Sequence, residues 1–309
     1  MSHPHSHHHD HNHGHEHDHH THTVSNYGPA FIIGILLNIS YIIIEIVFGL
    51  NAGSSALLAD AGHNTGDVLS LVFSFAAIRL ALWKPSGRYT YGLRRTTILV
   101  ALLNTMMLFG AVGIIVYEAI EHLQHPVQVA GNTIIVIALV GIAINTITAL
   151  LFMKGQGEDL NIKAAFLHMA SDALVSMGVV VAGILINWTG LVWIDSATSF
   201  IIAAIILYGS WGLFADALKL ALDAVPRGIE VAEVKAYLSS IEGVEQVHDL
   251  HIWAMSTTQT ALTAHLVMTT TSTDDNFLPR INKELREHFH ISHSTIQIDK
   301  ALLTDCEKC

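Results

Sequence analysis

Charged side chains are scarce in this chain of 309 residues: they make up 13% of it against 51% hydrophobic residues, and the mean hydropathy is +0.46. So little charge beside so much apolar surface excludes an ordinary water-soluble domain. Basic residues are scarcer still, 15 Lys and Arg against 26 Asp and Glu for a formal charge of −11. A nucleic-acid partner is thereby excluded, because phosphate binding rests on Lys and Arg. Cysteine is nearly absent. Cys306 and Cys309, spaced C-x-x-C at the end of the chain, leave a disulfide framework nothing to staple and point to metal or redox chemistry. The first residues lack the charged stretch and short apolar run of a cleavable signal, so insertion is expected to start at the first full-length apolar segment.

Residues 1–22 have almost no apolar side chain, and they hold 12 of the chain's 22 histidines. Such a segment cannot bury a core and is predicted to be a disordered tail that captures metal weakly and concentrates it locally. Its histidines are interleaved with Ser, Asp, Asn, Gly and Glu, unlike the unbroken run of an affinity tag. The match of His15-Glu16-x-x-His19 to a protease motif is set aside, since that motif needs a folded helix.

Six apolar segments follow, at Pro29 to Leu50, Ser55 to Leu82, Thr97 to Leu123, Asn132 to Met153, Ile162 to Trp188 and Trp193 to Leu213. Each is long enough to cross about 30 Å of hydrocarbon. Every Lys or Arg before residue 226 lies in or beside three connections: Arg79 to Arg95, Lys154 to Lys163, and Lys219. The positive-inside rule then puts both termini in the cytoplasm, as does the even number of spans. After Pro226 the pattern becomes helix, strand, strand, helix, strand. The expected fold is thus a membrane all-α domain of six transmembrane helices plus a C-terminal cytoplasmic α+β (αββαβ) domain. The expected divisions are a tail at 1–26, the membrane domain at 27–225, the cytoplasmic module at 226–300 and a Cys-x-x-Cys tail at 301–309.

Spans two and five repeat a small pattern, Ala59-x-x-x-His63-x-x-x-Asp67-x-x-Ser70 and Ala164-x-x-x-His168-x-x-x-Asp172-x-x-x-Ser176. Residues i and i+4 share a helix face, so each span presents an imidazole beside a carboxylate. In span two they lie about 12 to 18 Å below the outer end, and Asp172 lies at a comparable depth. Ionisable groups there are costly unless they pair or bind an ion. One such pair alone reads equally as an interhelical hydrogen bond; two pairs on antiparallel spans form a four-ligand set whose two carboxylates balance a divalent cation. Mixed nitrogen and oxygen ligation suits zinc, with cobalt and cadmium as lesser cargo. Because the ligands must be deprotonated to bind metal, protons and metal would compete, which is an antiport mechanism. Asn38, Glu45, Asn104, Glu118 and Asn145 are further polar groups in the spans that could line a pathway, and the amides read as packing contacts between helices.

Three strings, Ala56-Leu-Leu-Ala-Asp-Ala-Gly-His63, Arg88-Tyr-Thr-Tyr-Gly92 and Val247-His-Asp-Leu-His-Ile-Trp253, together with the His-x-x-x-Asp repeats, resemble the cation diffusion facilitators over nearly the whole chain. The resemblance implies a homodimeric zinc/proton antiporter with alternating access, exporting zinc across a bacterial inner membrane. It also implies cytoplasmic metal ligands at His248, His265 and Asp299, for which an ordinary surface role is the open alternative. A second set, His293, Cys306 and Cys309, is implied to be completed by a tail histidine, against a frayed terminus. A basic residue at Arg95 is implied to pair with Asp223 and clamp helices at the dimer. Some relatives carry a metal-binding His after the Tyr-Gly of the second loop; Leu93 stands there, so that site is expected to be missing. A membrane metalloenzyme and a metal sensor are the alternatives from other classes. The enzyme reading fits poorly, because catalytic zinc keeps one position open and four protein ligands fill it.

Overall fold

The computed structural model describes residues 28–52, 55–125, 132–191, 193–268 and 275–300. Their first part is six long helices: α1 (Gly28–Ala52), α2 (Ser55–Ala81), α3 (Thr96–Gln124), α4 (Asn132–Met153), α5 (Leu160–Thr189) and α6 (Trp193–Ala221). On length and composition, three helical stretches among the described residues suffice to cross a membrane: Gly28–Phe48, Thr96–Gln124 and Ser196–Ala221. In α2 and α5 the apolar run is broken by the residues of chemical interest, Asp67 in one and Lys163 and Asp172 in the other. Helix α6 extends eight residues past the apolar run expected to end at Leu213. Its last turns stay helical by burying Ala217 and Leu220 and turning Lys219 outward.

Helix α1 is patterned inside out. Its buried positions are Phe31, Gly34, Asn38, Tyr41 and Glu45, a helical stripe that is largely polar, while Ile32, Leu36, Ile43 and Phe48 are exposed. A water-soluble helix shows the reverse, so the apolar outer face fits a hydrocarbon solvent. Glycines allow α1 and α4 to meet closely. A Cβ on Gly34 would lie 2.9 Å from Thr148 Cγ2, and one on Gly141 would collide with the Tyr41 ring. Helices α1, α2, α4 and α5 share a core of Phe31, Leu71, Phe152, Ile162 and Met169. A second core joins Leu108 and Val112 of α3 to Ile202 and Ile206 of α6, with Leu174 of α5 against it.

The remainder is an α-β-β-α-β module: α7 (Val231–Ser239), β1 (Val244–Ala254), β2 (Thr260–Met268), α8 (Phe277–Glu287) and β3 (His293–Asp299). The strand order is β1-β2-β3, with β1 antiparallel and β3 parallel to β2. Helix α8 places Phe277, Ile281 and Leu285 at four-residue spacing on one face, and all three are buried against Leu262 and Leu266. Pro279 falls in its first turn, where a missing N–H costs no helical bond. This module buries its apolar side chains in the ordinary way.

Candidate metal centres

The register of β1 on β2 sets His248 directly opposite His265, and β3 brings Asp299 beside Val267 of the same sheet. The three side chains converge: His265 Nδ1 is 2.9 Å and His248 Nε2 3.5 Å from Asp299 Oδ2. Each offers one ligand atom within 4.8 Å of the others. Gln297 donates its amide to Asp299 Oδ1 at 2.9 Å, which leaves Oδ2 to face the imidazoles. That amide, opposed by burial and assisted by the hydrogen bond and charge of His265 and the charge of His248, holds the Asp299 carboxyl below its ordinary range. Both ring nitrogens of His248 are buried with no hydrogen-bond partner among the described residues. A buried donor or acceptor left so costs about 1–3 kcal/mol, so this side chain fits a metal ligand better than a core residue.

A β-bulge between His248 and His251 turns Asp249 into the left-handed region at φ +50°. Its carboxylate lies 2.8 Å from His251 Nε2 and 3.5 Å from His265 Nε2. A bulge of this kind leaves no mark on the alternation of a strand, and sequence reasoning did not find Asp249.

In the helical part, Asp67 of α2 meets His168 of α5, with Asp67 Oδ1 2.6 Å from His168 Nε2. Asp172 Oδ2 lies 4.0 Å from the same nitrogen, one helical turn along α5. The three residues are 2%, 5% and 9% exposed, and their ligand atoms also lie within 4.8 Å of one another. Among the described residues, Asp67 Oδ2 and His168 Nδ1 have no hydrogen-bond partner. His63 stands on α2 four residues before Asp67; its side chain lies outside the described residues.

Close by on α1 and α2, the Asn64 amide donates to both oxygens of Glu45, at 3.0 and 2.9 Å, in a fully buried contact. The amides Asn38 and Asn104 act as interhelical contacts. Asn38 approaches Thr148 and Met169, and Asn104 donates to Ser74 Oγ at 2.6 Å.

The other expected residues are dispersed. His293 opens β3, exposed and edge-on to Tyr91, at the strand end away from Asp299. Cys306 and Cys309 lie outside the described residues. Arg95 donates to Asp223 Oδ1 at 2.5 Å and to the Ala221 carbonyl, tying the start of α3 to the end of α6, with both side chains about half exposed. A further ion pair, Arg227 Nε to Asp216 Oδ1 at 2.7 Å, was not anticipated from the sequence.

Residues 31–220 match the cation efflux transmembrane domain, and residues 226–301 match the cation efflux protein cytoplasmic domain. The chain is 36% identical over 277 residues to a metal cation efflux system protein, CzcD, of Cupriavidus metallidurans, covering 89% of this chain and 87% of the relative. It is 35% identical to a cadmium, cobalt and zinc/H(+)-K(+) antiporter of Bacillus subtilis, over 87% of this chain and 88% of that one. To the zinc transporter ZitB of Escherichia coli it is 33% identical, over 84% and 83%. The match covers both halves of the chain and the helices and strands that carry the two centres. The chain therefore belongs to the cation efflux family, as a membrane-embedded metal-cation efflux transporter and not an enzyme.

Proposed function

We propose that this protein exports zinc from the cytoplasm in exchange for protons, at an intramembrane site of His63, Asp67, His168 and Asp172 that alternates between the two sides of the bilayer. The observation that carries this reading is the meeting of Asp67 with His168 and Asp172 from two different helices in a buried place. Two carboxylates and two neutral imidazoles carry the charge that one divalent cation neutralises, and the nitrogen and oxygen donors suit zinc, with cobalt and cadmium as lesser cargo. The relatives of Bacillus subtilis and Escherichia coli, a cadmium, cobalt and zinc antiporter and a zinc transporter by name, favour the same cargo.

The 2.6 Å approach of Asp67 Oδ1 to His168 Nε2 explains how protons take part. In the proton-loaded state of this reading His168 is an imidazolium, with one proton on Nδ1 and a second between Nε2 and Asp67 Oδ1. Zinc arriving from the cytoplasm claims both lone pairs and expels that proton; protons from the more acidic outer side displace zinc in turn. The two ions exclude each other because they need the same electrons.

Six spans with both termini in the cytoplasm complete the picture, in a bacterial inner membrane, and the chain works as a homodimer joined through its cytoplasmic module. His248, His265 and Asp299 hold a zinc ion in that module; His293, Cys306 and Cys309 hold another with a tail histidine. Bound zinc would crosslink the strands and needs its imidazoles neutral. The test is zinc uptake into acid-loaded proteoliposomes. Wild type is expected to accumulate zinc and Asp172→Ala to accumulate none while keeping its size-exclusion profile. Uptake by the variant at the wild-type rate would end the proposal.

A further inference from the structure

The two metal centres lie in different halves of the molecule, and among the described residues a hydrogen-bonded joint at Thr257 links those halves. The connection from β1 to β2 reaches the helical part at Thr257. Its hydroxyl donates to Asp159 Oδ2 at 2.5 Å, and its backbone N–H donates to Thr97 Oγ1 at 3.1 Å. Asp159 precedes α5, and its other oxygen, Oδ1, accepts the N–H of Asn161 at 2.6 Å and caps the first turn of that helix. Asn161 then donates its side-chain amide to the Thr97 carbonyl at 3.0 Å, tying the start of α5 to the start of α3. Thr97 and Asn161 are buried.

Apolar packing seals the joint from the side. Ala254, the last residue of β1, is buried against Ile98 of α3 and Leu220 of α6. The two bonds of Thr257, to Asp159 and to Thr97, are the ones that cross between the halves; those of Asn161 hold α5 and α3 in place beneath them.

The position of this contact matters for transport. From Asp159 it is nine residues along α5 to His168, about 13 Å at helical rise. From Ala254 it is six residues along β1 to His248, about 20 Å at strand rise. The start of α5 and the connection that follows β1 thus meet at one carboxylate, that of Asp159.

We propose that Thr257 is the positioning residue through which the cytoplasmic module holds the transport helices, so that α3 and α5 move with the module during export. The inference rests on reading Asp67, His168 and Asp172 as the transport site. It assigns Thr257 no contact with the ion. Losing the joint therefore changes how fast the site turns over and leaves how tightly it takes zinc nearly unchanged.

The test uses the full-length chain in proteoliposomes, with initial zinc uptake measured across zinc concentration for Thr257→Val, which keeps shape and removes the hydroxyl, and for Thr257→Ser, which keeps the hydroxyl. In the valine variant the turnover number is expected to fall about tenfold, the size of one hydrogen bond to an ionised carboxylate, with KM changed less than about twofold. Serine restores turnover. Thr97→Val, which removes the other acceptor, serves if the first variant does not insert, with a smaller fall in turnover expected. Wild-type turnover in the valine variant, or an equal fall in the serine variant, overturns the proposal. Failure of the transport-site reading shows separately, as uptake that survives Asp172→Ala.

Discussion

The two centres use the same chemistry in different solvents. Each brings two or more His and Asp side chains to within 4.8 Å. In the helical part, Asp67 and His168 come from separate helices and are sealed from solvent. In the module, the residues lie on one sheet, His265 is part-exposed, and a glutamine fixes the carboxylate. The difference lies in the imidazoles, His168 being sealed and His265 part-exposed, and under the proposed function the sealed centre is the one that must release its ion. A buried site cannot leave its charges unbalanced, which is why the proposed function has metal and protons replace one another there. The centre on the sheet, through part-exposed His265, has water as a third option.

That comparison is broken most decisively by removing a carboxylate from each centre in turn. Asp67→Ala is expected to lower zinc transport by about 100-fold or more, because a buried divalent ion loses a charged ligand, whereas Asp299→Ala lowers it only a few-fold. Flux assays on both variants check this. Equal losses would mean that the centres are not functionally distinct. Next in size, His248→Ala should weaken zinc binding at the module about 10- to 100-fold. Equilibrium zinc titration of the purified full-length chain, in an Asp67→Ala background, reads it as the loss of one tight equivalent.

A smaller effect concerns pH. The Asp299 carboxyl is held below its ordinary range, chiefly by the Gln297 amide. A depressed carboxyl lends stability that is complete above the unfolded value, about 3.9 for Asp, and is lost as pH falls through the lower folded value. In metal-free buffer Gln297→Leu should therefore have a lower unfolding midpoint than wild type at neutral pH, and the gap should close as pH falls below about 3.9, because the variant lacks the stability that wild type loses there. Identical acid profiles would remove Gln297 from the account. Smallest is Arg95→Ala. The pair with Asp223 is half exposed, and such pairs are worth about 1 kcal/mol or less. The dimer dissociation constant from sedimentation should rise about fivefold at most, and an unchanged constant with unchanged transport would discard a clamp role.

Much of this was legible from local spacing. The four-residue interval of His168 and Asp172 puts both on one face of α5, and the alternation of β1 and β2 lets His248 and His265 pair. What local spacing cannot carry is a contact made across the chain. The joint of Thr257 with Asp159 spans 98 positions, and Asn64 with Glu45 depends on how α1 packs against α2. The bulge that turns Asp249 is likewise a property of pairing. Helix α6 outlasted its apolar run for the same reason: its last turns are stabilised by the module and α3, which bury Leu220.

The most direct test is simultaneous measurement of zinc and proton flux in proteoliposomes holding the full-length protein. The account predicts that zinc entering acid-loaded vesicles is matched by protons leaving, and that both flows vanish together in Asp67→Ala. Zinc flow that proceeds without proton flow, or that survives the loss of Asp67, would contradict a single site shared by the two ions.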